Sequence, residues 1–218
     1  MEKIDFTGIL NSVKKYSENI PKCKVCGDII VDGMCYSCED RERKRIENEK
    51  RDVERLGGIR AYKDFTLEKY DNIKLKSIIK YPENLYLYGP AGVGKTHLAT
   101  ALVRQYPDGI VVKPTQIIDK FRNINSEYEK RDLIRYFVDK NHIVIDDIGI
   151  EYINDYTYQF IYSIIDGRWN NYKTGLIITS NLSLDDLKAK VNDDRLTSRI
   201  KGMCKVIKID GKDRRVGK

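Results

Sequence analysis

The chain has 218 residues, of which 41% are apolar and 33% are charged, and this length suits one or two domains with a sizeable core. Its 15 tyrosines, five phenylalanines and single tryptophan argue against wholesale disorder, and no apolar run approaches the ~18–20 residues of a membrane span. The first residues carry early acids and do not resemble a secretory signal, so we expect a cytoplasmic protein without membrane contacts. The net charge of +7 favours an anionic partner such as nucleic acid, and ordinary surface charge explains it equally well.

Four cysteines lie close together near the start of the chain, in the pattern C-x2-C-x8-C-x2-C. Each C-x2-C pair places two thiolates on one tight turn, and two such turns can form a tetrahedral zinc site. Two disulfides are the alternative, but they belong to oxidising compartments and no secretory signal is evident. We therefore expect a closed structural Zn²⁺ site without catalytic chemistry, formed by Cys23, Cys26, Cys35 and Cys38.

A highly charged segment follows the cysteines. Residues 39–55 contain seven acidic and seven basic side chains, so the segment is neutral overall. Mixed charges at this spacing favour an exposed helix that serves as a connector, helical or partly flexible, and not as a nucleic-acid site. We therefore expect a zinc-binding module at 1–38, a linker at 39–56 and a second domain at 57–218.

A phosphate-binding motif of the form G-x-x-x-x-G-K-[ST] begins at Gly89, between a strand-like and a helix-like run. Its glycines allow backbone N–H groups to surround phosphate oxygens, the lysine reaches the β- and γ-phosphates, and the threonine hydroxyl binds Mg²⁺. His97 follows the motif directly, and packing explains it as well as nucleotide binding does. The predicted nucleotide-binding residues are Gly89, Pro90, Ala91, Gly92, Val93, Gly94, Lys95, Thr96 and His97.

Two acids follow the apolar run 142–145, which is the arrangement of a Walker B motif. We expect Asp146 to hold Mg²⁺ together with Thr96, and Asp147 to orient or deprotonate the attacking water. A third strand-like run ends at Asn181, which could hold this water near the γ-phosphate. A helix cap is the alternative role for Asn181.

Strand-like and helix-like runs alternate from residue 84 onward, which indicates an α/β fold with a parallel sheet covered on both sides. The nucleotide then lies at the carboxyl ends of the strands. Strands are predicted near 84–88, 109–112, 142–146, 175–180 and 204–209. Helices are predicted near 94–106, 115–123, 127–139, 155–171 and 183–191.

Residues ~57–218 resemble the AAA+ ATPases of the DnaC/DnaI/IstB group, which are bacterial and phage helicase loaders and their transposition relatives. The resemblance rests on Gly89–Ala99 (GPAGVGKTHLA), Ile143–Gly149 (IVIDDIG), Thr179–Asn181 (TSN) and Asp194–Ile200 (DRLTSRI). It implies an AAA+ P-loop NTPase core with five parallel strands and a truncated lid. The four-Cys segment is similar to the module with which such loaders dock on the replicative helicase.

The resemblance also implies that subunits assemble with ATP at their interfaces, where an arginine of one subunit reaches the γ-phosphate bound by its neighbour. Arg199 matches the position of this arginine finger, and Arg195 is the second choice. Arg215 best matches the terminal arginine of the family, followed by Arg214. Asp147 stands where most AAA+ proteins have Glu, and the shorter side chain suggests slow turnover.

The implied function is that of an ATP-dependent loader that binds a replicative hexameric helicase and single-stranded DNA in the cytoplasm of a bacterial cell, whether encoded by the host or by a phage. An IstB-like transposition helper and a non-hydrolysing adaptor switched by nucleotide remain as alternatives. Candidate DNA contacts follow the second strand, and a solvated helix face explains these residues equally well: Lys113, Lys120, Phe121 and Arg122.

Overall fold

The computed structural model describes residues 21–30, 35–72, 75, 77, 79–149 and 155–214. The chain divides into two compact units, Met1–Arg51 and Asp52–Lys218. This division does not test the predicted domain limits at residues 38 and 56, which remain a prediction. Among the described residues, no helix is both long enough and apolar enough to cross a membrane.

Helix α1, Tyr36–Arg55, contains the charged segment. It begins three residues earlier than the predicted linker, because the carbonyl of Cys35 accepts a hydrogen bond from the Glu39 N–H at 3.1 Å and so starts the helical pattern. Ion pairs such as Lys44–Asp40 at 2.6 Å lie on its surface, where each contributes little to stability. Every side chain of α1 is at least partly exposed, as the balanced charge pattern predicts.

The second unit contains one five-stranded sheet in the order β2-β3-β4-β1-β5, in which all neighbours are parallel. The strands are β1 Leu85–Tyr88, β2 Ile110–Val112, β3 Ile143–Ile148, β4 Leu176–Ser180 and β5 Lys205–Lys208. The helices are α2 Lys95–Val103, α3 Pro114–Asn123, α4 Glu127–Asp139, α5 Asp155–Asn170, α6 Leu184–Val191 and α7 Arg195–Met203, with a short 3-10 helix at Arg60–Asp64 before the sheet. The predicted α/β fold with a five-stranded parallel sheet is confirmed.

The sheet is buried on both faces, because successive side chains of each strand point to opposite sides. Ile143 and Ile145 pack in one apolar cluster with residues of α3, α4, α5 and α7, such as Phe160. Val144 points to the opposite face and packs in a second cluster that contains Leu98 of α2. This alternation explains why the strands are nearly continuous apolar runs.

Strand and helix limits agree with the predicted ones within about two residues, with three corrections. Helix α2 ends at Val103 and not at 106, because turns occupy the chain up to Gly109. Strand β3 does not end at Asp146, as predicted, but continues through both acids to Ile148, across a register shift against β4. Helix α7 was not predicted, since its residues were noted only as the motif Asp194–Ile200.

A fully buried arginine in α5 links the end of α4 to the segment that precedes β4. The Arg168 guanidinium donates hydrogen bonds to the carbonyls of Val138 at 3.0 Å, Lys140 at 2.6 Å and Thr174 at 2.5 Å. These carbonyls would otherwise be left without partners where chain segments end, so the arginine acts as a shared cap.

Candidate functional site

The phosphate loop connects β1 to α2 at the carboxyl end of the sheet. Gly94 caps α2 with φ +97°, a left-handed conformation that glycine adopts without steric cost. Gly89 has φ +147°, and a Cβ at this position would collide with the carbonyl of Ile209. The loop therefore requires glycine at both positions, and the first turn of α2 presents its N–H groups where a phosphate can bind.

Lys95 lies at the start of α2 and is 5% exposed. Its ammonium group donates hydrogen bonds to the carbonyls of Gly89 at 2.8 Å and Pro90 at 2.7 Å, and to the Asn181 side-chain oxygen at 2.7 Å. The structure thus brings the tip of β4 into contact with the phosphate loop. The amide of Asn181 then retains its N–H groups as donors for a phosphate oxygen or a water.

The carboxylate of Asp146 is fully buried and lies next to the phosphate loop. One oxygen accepts from the hydroxyls of Thr96 at 2.8 Å and Thr179 at 2.6 Å, and the other accepts from the Tyr62 hydroxyl at 2.9 Å. A carboxylate and a threonine hydroxyl in direct contact are oxygen ligands of the kind that Mg²⁺ prefers. Asp146 and Thr96 could therefore hold the ion.

Asp147 adopts a left-handed backbone conformation with φ +61°. Burial, and then the charge of Asp146, raises the pKa of its carboxyl group, while the ammonium groups of Lys113 and Lys95 act in the opposite direction. The Lys113 ammonium lies 3.6 Å from the Asp147 carboxylate and 3.8 Å from that of Asp146. Lys113 thus offsets the repulsion between the two acids.

An open cleft of about 990 Å³ is bordered by the phosphate loop, Asp147, Asn181 and the segment 64–71. His97 also lines it: its ring stacks on Phe65 at 4.6 Å and its Nε2–H donates to the carbonyl of Thr66 at 3.0 Å. Burial lowers the pKa of His97, so the neutral ring acts as a wall of the cleft. The cleft has room for a nucleotide.

Residues after β5 run along the phosphate loop. The backbone N–H of Arg214 donates to the carbonyl of Gly92 at 3.1 Å, and its guanidinium group lies over the Tyr70 ring at 5.0 Å and binds Asp71 at 2.7 Å. Arg214 therefore lines the cleft. Arg215, the first choice for the terminal arginine, lies outside the described residues.

The two candidates for the arginine finger both lie on α7, and each is paired with an acidic residue of its own chain. Arg199 donates to Asp166 at 2.9 Å and lies 5.5 Å from the Trp169 ring. Arg195 binds Asp193 at 2.7 Å. Neither arginine is among the described residues that line the cleft.

The four cysteines converge at one point, although residues 31–34 between them lie outside the described part. Their sulfur atoms all lie within 4.8 Å of one another, and each is a free thiol. The closest pairs are 3.3 to 3.6 Å apart. A tetrahedral site with Zn–S bonds of about 2.3 Å needs sulfur atoms about 3.8 Å apart, so this cluster is compatible with zinc.

The candidate DNA contacts separate in the structure. Phe121 is 6% exposed and packs on Phe160, so its ring is part of the core and unable to stack on a base. Lys113 faces the two acids, whereas the Arg122 guanidinium lies 5.5 Å from the ring of Tyr156, which is exposed. The side chain of Lys120 lies outside the described part.

Two residues of the site were missed by sequence reasoning. Thr179 contacts Asp146 from inside β4, and a polar residue that follows three apolar ones within the strand was a signal that could have revealed it. Tyr62 contacts Asp146 from the 3-10 helix, 84 residues away in the chain, and no local pattern indicates this.

Comparisons with known proteins agree with this geometry. A sequence profile of the family described as IstB-like ATP binding protein matches residues 49–218. An ATP-binding protein of insertion sequence IS232 from Bacillus thuringiensis subsp. berliner is 25% identical over 134 residues, which cover 60% of this chain. The match spans about half of that relative, 52% of its length.

Two helicase loaders are also similar. The replicative helicase loader DnaI of Bacillus subtilis (strain 168) is 20% identical, and the match covers 94% of this chain and 82% of the loader. The crystal structure of the DnaC helicase loader superposes with a TM-score of 0.59 at 24% identity, over 70% of this chain and all of that one. The structural likeness shows the AAA+ fold.

Proposed function

This chain belongs to the family of IstB-like ATP-binding proteins, and we propose that within this family it acts as an ATP-dependent loader of a replicative helicase. The family implies ATP binding. The observation that favours loading is the extent of the DnaI match, which covers 94% of this chain and thus includes the four-Cys segment, whereas the match to the insertion-sequence protein covers 60%.

Five residues in or beside the cleft have a role in ATP hydrolysis under this proposal. Lys95 exchanges its contacts with the loop carbonyls for the β- and γ-phosphates, and Asn181 donates to the γ-phosphate or to the attacking water. Mg²⁺ supplies charge neutralisation between the phosphates, and Thr96 with Asp146 would hold it. Asp147 orients the attacking water and takes up its proton.

The cleft is open to solvent. We propose that chains assemble so that Arg199 of one subunit reaches the γ-phosphate bound by the next. The ion pair with Asp166 leaves the Arg199 side chain 36% exposed. A trans arginine of this kind stabilises the charge that develops on the transferred phosphoryl group.

The four-Cys cluster would hold Zn²⁺ and dock on the helicase. Its charged helix α1 connects it to the ATPase unit, and single-stranded DNA binds to the ATPase. A cation next to an aromatic ring, such as Arg122 beside Tyr156, is the type of pair on which single-stranded bases stack.

The direct test is capture of the replicative helicase from the source organism by the full chain, with ATP, with ADP and without nucleotide. We expect capture that depends on ATP, loss of this dependence in Lys95→Ala, and loss of capture in Cys26→Ser. Helicase that binds none of these chains, while all remain folded, would refute the loader function.

A transposition helper is the second candidate, favoured by the matched family profile and by the IS232 relative. Such a helper acts on duplex DNA and a transposase, whereas a loader acts on single strands. ATP-dependent binding to duplex DNA in preference to single-stranded DNA, together with capture of a transposase, would establish it in place of the loader.

A non-hydrolysing adaptor is separated from both candidates by Asp147→Asn. Asparagine tolerates the left-handed conformation of residue 147, so the variant should fold and bind ATP. If this variant loses helicase loading, the function requires ATP hydrolysis. If it loads the helicase fully, ATP binding alone is sufficient.

A further inference from the structure

Strand β3 contains a bulge at its two acids. Ile145 pairs with Ile178 and Ile148 pairs with Ser180, so Asp146 and Asp147 together stand opposite one residue of β4, Thr179. Two residues opposite one is the arrangement of a β-bulge, which redirects side chains and is common beside active sites.

The bulge places Asp147 in an unfavourable conformation. Its φ of +61° belongs to the left-handed region, which is uncommon for residues other than glycine, although asparagine and aspartate tolerate it better than most. A conformation of this kind persists only where surrounding contacts hold it. The bulge also removes the Asp147 N–H from the regular ladder, so this group needs another acceptor.

The hydroxyl of Thr179 provides the contacts that the bulge requires. It accepts a hydrogen bond from the Asp147 N–H at 2.9 Å and donates its own proton to the Asp146 carboxylate at 2.6 Å. A hydroxyl has one proton to donate, and an ionised carboxylate can only accept, so the direction of both bonds is fixed. Thr179 is fully buried, and water does not replace it.

We propose that Thr179 is a positioning residue for ATP hydrolysis, which holds the backbone of Asp147 in the conformation that directs its carboxylate into the cleft. The inference rests on the proposed role of Asp147 in orienting the attacking water. Under this inference, Thr179 positions Asp147 and does not itself contact the phosphate, whereas Asn181, two residues later, does.

The test compares two substitutions of Thr179 in the full chain. Thr179→Val keeps the shape and removes the hydroxyl, whereas Thr179→Ser keeps the hydroxyl. We expect kcat for ATP hydrolysis to fall about 10- to 100-fold in Thr179→Val, with the Kd for ATP within about threefold of wild type, and to remain within about threefold in Thr179→Ser.

Thr100→Val is the matched control, because Thr100 is also fully buried but its hydroxyl has no hydrogen-bond partner among the described residues. We expect this variant to keep the wild-type kcat. The melting temperature of every variant is measured first. All rates are then compared at a temperature below the lowest of these melting temperatures. Should Thr179→Val fail to fold, Thr179→Ala serves as the second variant without the hydroxyl.

A double-mutant cycle with Asp147→Asn separates positioning from a general loss of structure. If Thr179 acts through Asp147, adding Thr179→Val to Asp147→Asn lowers kcat no further. Independent, multiplying effects overturn the inference, as does a Thr179→Val chain with wild-type turnover. A wild-type chain that binds ATP but never hydrolyses it overturns the proposed ATPase function, and this inference with it.

Discussion

Replacement of Arg199 by alanine tests the proposed assembly most directly. The guanidinium group lies between the Asp166 carboxylate at 2.9 Å and the Trp169 ring at 5.5 Å, and both contacts are within its own chain. The ion pair is partly exposed, and such pairs contribute little to stability, so we expect the melting temperature to change by no more than about 3 °C. Turnover should change far more, because a trans arginine accelerates phosphoryl transfer about 10³- to 10⁵-fold.

The assay is ATP hydrolysis at protein concentrations that span assembly, with nucleotide affinity measured in parallel. We expect Arg199→Ala to bind ATP as wild type does, because Arg199 is absent from the described residues that line the cleft. Arg195→Ala is the matched control. Its guanidinium group is also paired with an acid of its own chain, Asp193, and the variant should keep most of the turnover.

Mixing two inactive variants shows whether the arginine acts between subunits. Lys95→Ala lacks the phosphate-binding lysine but supplies an intact Arg199, and Arg199→Ala supplies the reverse. In a random equal mixture, about one quarter of head-to-tail interfaces combine both intact residues, so about one quarter of the wild-type rate should return. A mixture that stays inactive, or an Arg199→Ala chain with wild-type turnover, would refute the assignment of Arg199.

Three further predictions concern other parts of the chain. Arg168→Met should lower the free energy of unfolding by about 3–5 kcal/mol in guanidinium titrations, because the carbonyls of Val138, Lys140 and Thr174 lose a charged donor; a loss below about 1 kcal/mol would contradict this. Elemental analysis should find one zinc per chain, lost in Cys26→Ser without a change in ATP affinity, since the ATPase unit is separate; a zinc-free wild-type chain would contradict the site. Asp213→Asn should tighten ATP binding about three- to tenfold, because the Asp213 carboxylate occupies the space beside Gly92 and opposes phosphate; the control is Asp210→Asn, and unchanged or weaker binding would contradict it.

Local patterns were sufficient to predict the sheet and most of its helices. Helix α4 was predicted at its observed limits, because Ser126 caps it, accepting a hydrogen bond from the Glu129 N–H, and because its apolar residues follow the helical period. The strands were predictable because burial on both faces requires continuous apolar runs. Helix α7 was harder, since its nine residues carry several cations and a glycine that lies against Trp169.

The site was predictable only where a motif marks it. The phosphate loop and the two acids follow from spacing, but the contact of Tyr62 with Asp146 depends on folding of a distant segment. Phe121 was proposed for DNA from composition, and the structure places its ring in the core, because the helical period and not residue type decides which face is buried. The left-handed Asp147 has no sequence signal, since it results from a mismatch in strand pairing.

The polar groups of the cleft satisfy one another within the chain. Lys95 donates three hydrogen bonds to neutral oxygens, and Asp146 accepts three from hydroxyls, so the hydrogen-bonding groups of both side chains are occupied. Binding of ATP and Mg²⁺ therefore exchanges contacts, and the gain in free energy is the difference between the new and the old bonds. These contacts also hold the Lys95 and Asp146 side chains in place beside the phosphate loop. A site of this kind places its binding energy in orientation of the reacting groups, which favours the transition state over tight binding of the nucleotide.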